Sequence, residues 1–271
     1  MYSKLSISKQ KTYASLEHKK YRIQQGLFLA EGIKLVKEAI ISQWPIEAIL
    51  IQENILNTAL KKESIITQLP SRQIITCSKE QIQKISTLTN PDGFIAVLKL
   101  PTQAYSPIKW SSLKPKLKQA QLQKPAFILH AAQDPGNLGT LLRTALWFDF
   151  GCIICDAQTV DCFNPKVVRA SMGSLFYIPV YYLQDLEELL LEEQERILAA
   201  CLYGEWAPRK WGHRNWILLG NESQGLPDIW LKKYHLEKTT IPSNSCCDSL
   251  NITVAAGILA WEVFQKGNKK S

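Results

Sequence analysis

The chain has 271 residues, 46% hydrophobic and 21% charged, with a formal net charge of +8. That length accommodates two domains with their own cores, and the composition excludes a disordered or fibrous protein. The positive excess favours a polyanionic partner, most simply nucleic acid.

The start, MYSKLSISKQKTY, lacks the apolar segment of a secretory signal, and no run approaches the ~18 apolar residues of a membrane span. Seven cysteines, odd in number and scattered, suit a reducing cytosol better than a disulfide framework. A cytoplasmic location is expected. Residues 8–25 read as a basic helical stretch in which Lys9, Lys11, Lys19, Lys20 and Arg22 are opposed only by Glu17. Such a face is either solvated or laid on phosphates. Leu27-Phe28-Leu29 then reads as a strand and GIKLVKEAI as a helix. Strands at 46–51, 73–76 and 94–98 alternate with helices at 53–62 and 79–86, which predicts a small α/β domain over 1–100. It has no Gly-rich phosphate loop and no cluster of metal ligands. Residues 101–124 hold Pro101, Pro107 and Pro115 among lysines, the composition of an exposed interdomain linker.

The remainder, 125–271, reads as a second α/β domain. The strand PAFILH runs into a Pro135-Gly136 turn and a helix with Leu138, Leu141, Leu142, Ala145 and Phe148 as its apolar stripe. Asn137 and Arg143 both fall near the C-terminal mouth of a parallel sheet, where α/β proteins place ligands. Cys152 and Cys155 lie in the next strand on opposite faces, so they read as structural rather than metal-binding. Asn164-Pro165 has the form of an N-cap and first helical residue, and that helix ends at Gly173. A strand at 178–180 precedes a helix, DLEELLLEEQERILAACL, capped by Asp185. Trp206 and Trp211 sit in a basic turn and are candidates to stack on bases. The histidines at 18, 130, 213 and 235 share no spacing and suggest no metal. The strand 216–219 opens into GNESQGLP. Ser223 does not sit on a nucleophile elbow, because Asn221 stands where glycine is required. Gly220 and Gly225 instead suit a tight turn close to a ligand. A last strand, 238–241, leads through a polar loop to a helix with Asp248 or Ser249 as N-cap and Leu250, Val254, Ile258, Trp261 and Phe264 as its buried stripe. Three strand-to-turn junctions, 134–143, 220–225 and 241–251, are thus candidates to gather on one sheet edge.

These stretches, DPGNLGTLLRTALWF, LLGNESQGLP and IPSNSCCDSLNITVAAG, with FNPKVVRASMGSLFYIPV between the first two, resemble the signature blocks of the SpoU/TrmH family of RNA ribose 2′-O-methyltransferases in the SPOUT superfamily. The resemblance covers about residues 125–265. KKYRIQQGLFLAEGIKLVKEA resembles the substrate-binding domain often joined to that family. The resemblance implies a C-terminal trefoil-knotted SPOUT domain with a mostly parallel sheet, an exception to the rule against threaded chains. It also implies a homodimer, S-adenosyl-L-methionine as methyl donor, RNA as partner and no metal. Gly220, Ile241 and Leu250 match the positions that hold the cofactor, largely through backbone. Asn137, Arg143, Glu222, Ser249 and Asn251 match the catalytic set.

Methyl transfer is an in-line displacement, so positioning dominates, and the ribose hydroxyl must be made nucleophilic. A guanidinium is a very poor base, so the expected role of Arg143 is to grip the adjacent phosphate and stabilise the developing alkoxide. Asn137 and Asn251 would orient Arg143 or the ribose. Glu222 would anchor the first loop or pair with Arg143. The chain departs from the family at Asp149 and Ser245, where glycine is common; Ser245 lies in the cofactor loop and costs affinity if that position needs φ > 0. The expected activity is methylation of ribosomal RNA ahead of transfer RNA. The alternative is a catalytically inactive RNA-binding assembly factor on the same scaffold. A dinucleotide-binding enzyme is disfavoured, since no GxGxxG follows a strand.

Overall fold

A computed structural model of the chain describes residues 2–102, 104–206, 211–212, 214–244 and 249–268. In chain order the strands are β1 (Ser3–Lys4), β2 (Leu27–Glu31), β3 (Ile46–Gln52), β4 (Ile74–Cys77), β5 (Phe94–Lys99), β6 (Ala126–Leu129), β7 (Cys152–Asp156), β8 (Val180–Leu183), β9 (Ile197–Glu205), β10 (Trp216–Leu219) and β11 (Glu237–Thr239). The helices are α1 (Ile7–Ser15), α2 (Lys19–Gln25), α3 (Ile33–Ile41), α4 (Leu56–Lys62), α5 (Lys79–Ile85), α6 (Trp110–Leu113), α7 (Gln119–Leu122), α8 (Pro135–Trp147), α9 (Pro165–Ala170), α10 (Glu187–Glu192), α11 (Asp228–Lys233) and α12 (Ile252–Asn268). They form two compact units. One comprises Met1–Ala104 with Phe163–Tyr177, the other Tyr105–Cys162 with Ile178–Ser271.

The first unit is a mixed sheet in the order β1-β4-β3-β5-β2, with β5 antiparallel to β2 and β3. Central β3 reads as a continuous apolar run because Ile49, Leu50 and Ile51 are all buried. Helix starts are fixed locally: Ser6 Oγ accepts from the Lys9 amide, and Ser78 and Gln81 form a reciprocal capping box. Arg22, expected on a face either solvated or laid on phosphates, is buried. Its Nη1 donates to the carbonyls of Leu16 and Glu17 at 2.9 and 2.6 Å, closing the α1–α2 corner. The segment Phe163–Tyr177, assigned by sequence to the second domain, folds with this unit. Asn164 caps α9 by accepting from the Lys166 amide, with Pro165 at the first helical position. Arg169 donates to Thr87 Oγ1 at 2.7 Å and pairs with the buried Glu31 carboxylate. Gly173, beyond the helix end, has φ +94°, and a Cβ there would lie 2.7 Å from Glu38 Cγ.

The second unit is a six-stranded sheet, β11-β9-β10-β6-β7-β8, in which every pairing is parallel. All six strands therefore end on one edge, and the connections at that edge carry the three signature turns. Two expectations are corrected here. Residues 105–124 are not simply an exposed linker: Trp110, Leu113 and Leu117 are buried in this unit's core, and Trp110 packs edge-on to Trp216 with centroids 5.8 Å apart. Burying side chains of that size stabilises by about 1.5–3 kcal/mol each, while Lys109, Lys116 and Lys118 among them stay exposed. The predicted helix after Asp185 stops at Glu192, and ILAACLYGE forms β9, paired on both sides. A short buried apolar run such as Ile197-Leu198-Ala199 is compatible with either state until its neighbours are known.

The last helix also differs. It starts at Ile252, and its cap is Asn251, whose Oδ1 accepts from the Thr253 amide and hydroxyl at 2.8 and 2.6 Å. Asp248 and Ser245 lie outside the described residues. Its buried face is Ile252, Ala256, Leu259, Ala260 and Val263, whereas Leu250, Val254 and Trp261, placed by sequence in the buried stripe, are about half exposed. The helix has two apolar faces, and packing against α8 and β10 selected the one with small residues. Cys152 and Cys155 are buried free thiols, and burial pushes the Cys152 thiol up to about 12, which makes it inert. Asp149 takes φ +55° beyond the end of α8, a conformation in which glycine carries no Cβ penalty. Among the described residues no helix is long and apolar enough to cross a membrane.

Gly173→Ala is expected to destabilise the protein by about 1–3 kcal/mol, since the added Cβ meets Glu38 at a backbone conformation that L-residues avoid. The urea unfolding midpoint measures this.

Candidate active site

The first turn follows β6. Asp134 caps α8, its Oδ1 accepting from the Asn137 amide at 2.8 Å, with Pro135 at the first helical position. The second turn follows β10. Asn221 and Gly225 exchange backbone hydrogen bonds of 3.1 and 2.9 Å, and Asn221 Oδ1 accepts from the amides of Ser223 and Gln224. Gly225 has φ +68°, and a Cβ on Gly220 would lie 2.3 Å from the Gly225 carbonyl carbon. The turn therefore closes only as bare backbone.

These two turns are joined by side chains. Asn221 Nδ2 donates to the Ala131 carbonyl at 2.8 Å. The Glu222 carboxylate accepts from the amides of Gln133 and Asp134, both at 3.4 Å, and from Asn137 Nδ2 at 3.0 Å. The third turn reaches the same point: Asn251 Nδ2 donates to Asn137 Oδ1 at 3.3 Å. The amide orientations are fixed by chemistry. Glu222 can only accept, so Asn137 presents its nitrogen there and its oxygen to Asn251, whose own oxygen is left for Thr253.

The three junctions thus meet, and Asn137, Glu222 and Asn251 form one hydrogen-bonded chain. Of the two roles expected for Glu222, the loop anchor is the one seen. Arg143 is exposed on α8, about 120° around the helix axis from Asn137, and makes no hydrogen bond or ion pair with a described residue. Ser249 is exposed just before Asn251. Gly220 and Ile241 are partly exposed just beyond the ends of β10 and β11, and Leu250 is 48% exposed. Trp211 is buried and packs edge-on against Trp206, so it is not free to stack on a base; residues 207–210 and 213 lie outside the described residues. Sequence reasoning missed Asn221 as a tie between the first two turns; only its place in a Gly-bounded turn hinted at it. No group of three or more His, Cys, Asp or Glu among the described residues is arranged to hold a metal.

A protein-family model described as the SpoU rRNA Methylase family matches residues 124–261, and one described as the MRM3-like substrate binding domain matches residues 8–96. Over 266 residues the chain is 28% identical to the 23S rRNA (guanosine(2553)-2'-O)-methyltransferase RlmP of Bacillus subtilis, an alignment covering 94% of this chain and 95% of that one. The fold is similar to that of an AdoMet-bound rRNA methyltransferase from Sinorhizobium meliloti, with a TM-score of 0.77, 26% identity and coverage of 97% and 96% of the two chains. A TrmH-family protein from Porphyromonas gingivalis gives the same TM-score at 26% identity, covering 96% of this chain and 98% of that one. The first family model spans more than half of the sequence and ends inside α12, taking in all three turns, and the chain belongs to the SpoU rRNA methylase family.

Proposed function

We propose that the protein transfers the methyl group of S-adenosyl-L-methionine to a ribose 2′-hydroxyl in structured RNA, ribosomal RNA in preference to transfer RNA. The observation that carries this reading is the Asn137 side chain, which ties Glu222 of the second turn to Asn251 of the third. The 2′-O position and the ribosomal substrate are supported by the name of the B. subtilis relative, and RNA binding by the match of residues 8–96 and the net charge of +8.

The residues present fit the cofactor. The turn closes on itself at Gly220 and leaves open space at Gly225, where backbone can approach a ligand, and the partly exposed side chains of Ile241 and Leu250 suit the faces of an adenine ring. When bound, the cofactor would supply an electrophilic methyl on a sulfonium and leave as the neutral thioether, with the 2′-hydroxyl proton passing to solvent water. The chain's own residues position the acceptor. Arg143, exposed and without an ion-pair partner among the described residues, is available to a phosphate beside the target ribose and stabilises the alkoxide there. Asn137 and Asn251 orient the sugar, Ser249 lies at its edge, and Glu222 holds the first loop.

The active form is a homodimer. Leu146 and Trp147 of α8 and Val254 and Trp261 of α12 stay exposed in the single chain, an apolar surface of the kind that a second copy covers. The trefoil knot remains part of the proposal, supported by the order β11-β9-β10 and by the packing of α12 against α8. A cytoplasmic site of action is part of the same proposal, supported by the bacterial source of the rRNA methyltransferase relative.

Mapping 2′-O-methylation in ribosomal and transfer RNA from cells with and without the protein tests this reading; loss of one site identifies the substrate. A protein with no saturable heat on titration with S-adenosylmethionine would instead be an assembly factor. Arg143→Lys is expected to lower kcat roughly a hundredfold with cofactor affinity unchanged, because the ammonium lacks the planar fork. A near wild-type rate in that variant would argue against the clamp. Gly220→Ala should abolish cofactor binding in calorimetry. In Glu222→Ala the amides of Gln133 and Asp134 should exchange hydrogen roughly tenfold faster, with the β6 amides unaffected.

A further inference from the structure

Asp156 ends β7 and is buried, and its carboxylate is surrounded by donors. Oδ1 accepts from the amides of Gln158 and Thr159 at 3.1 and 2.9 Å and from Thr159 Oγ1 at 2.9 Å. The Ala131 amide is shared between the two oxygens at 3.1 Å each, and Oδ2 lies 2.7 Å from His130 Nδ1. A carboxylate in this setting only accepts, so His130 carries its proton on Nδ1. The imidazole also packs on Trp230, with centroids 4.6 Å apart.

What this network holds is a strained turn. Ala131 takes φ +50°, a conformation that residues with a Cβ avoid unless their surroundings impose it. Here Asp156 grips its N–H and Asn221 its C=O. A further tie, Val160 N–H to the Ala132 carbonyl at 2.9 Å, joins the same two loops. The next residues, Gln133, Asp134 and Asn137, are the ones that meet Glu222.

We propose that Asp156, with His130 as its donor partner, is a positioning residue for methyl transfer: it fixes the left-handed turn at Ala131 and thereby the register in which Asn137 meets Glu222 and Asn251. The inference rests on the methyltransferase reading. Asp156 itself stays beneath the loop and need touch neither cofactor nor RNA.

The test measures transfer from tritiated S-adenosylmethionine to ribosomal RNA isolated from cells lacking the protein, and cofactor affinity by calorimetry. Asp156→Asn puts an NH2 against the His130 or Ala131 donors; kcat should fall roughly tenfold or more while cofactor Kd, set by the other two turns, stays within about twofold. His130→Leu should lower kcat in the same direction. His130→Asn, whose amide can still donate to Oδ2, should recover most of that loss. The positioning role is overturned by a folded Asp156→Asn protein with wild-type kcat, by parallel losses of kcat and cofactor affinity, or by equal losses in the two His130 variants. If Asp156→Asn does not fold, the His130 pair decides alone. A wild-type protein that moves no methyl group removes the methyltransferase reading itself, and this inference with it.

Discussion

A carboxamide has a donor end and an acceptor end, and in this protein Asn137 commits both. Its nitrogen meets Glu222, 85 residues away in sequence, and its oxygen meets Asn251, 114 residues away. Glu222 and Asn251 are exposed and Asn137 is only partly buried, so the bonds contribute little to stability; a net bond is worth about 0.5–1.5 kcal/mol even where water is excluded. Their effect is geometric. The all-parallel sheet delivers three loops to one edge, and the amide fixes how those loops face one another.

The same arrangement settles the local electrostatics. The start of α8 carries a positive dipole end and free amides, which taken alone would suit a phosphate. Here Asp134 and Glu222 already occupy it. Arg143, further along the helix, is open to solvent and pairs with neither carboxylate. Separating the two charges keeps the carboxylate on the loop and the guanidinium available, where a direct pair would neutralise both.

Helix α12 shows how one sequence can serve two surfaces. Ala256, Leu259, Ala260 and Val263 pack inward, and Phe148 at the end of α8 contacts Trp261 and Phe264 at 6.2 and 5.6 Å. Val254 and the part of Trp261 that Phe148 does not cover stay exposed, as does Leu250 just before the helix. Such a helix makes sense where one apolar face builds the unit and the other meets a cofactor or a second copy.

Local chemistry made much of this legible. The cap at Asn164 with Pro165 after it, and the alternation of strands and helices, are written in residue type and spacing, because their bonds close within a few residues. Non-local choices were not. Whether ILAACLYGE is helix or strand depends on β10 and β11 lying on either side, and which face of α12 is buried depends on α8. The burial of Trp110 within a lysine-rich stretch depends on Trp216. Asp156 looked like any strand-end carboxylate until β6 and β7 lay in register and brought His130 and Ala131 against it. Residue type and spacing carried the family and the layer type. Tertiary structure alone decided which residues of the site touch, since a hydrogen bond between partners 85 residues apart leaves no periodic trace in the chain.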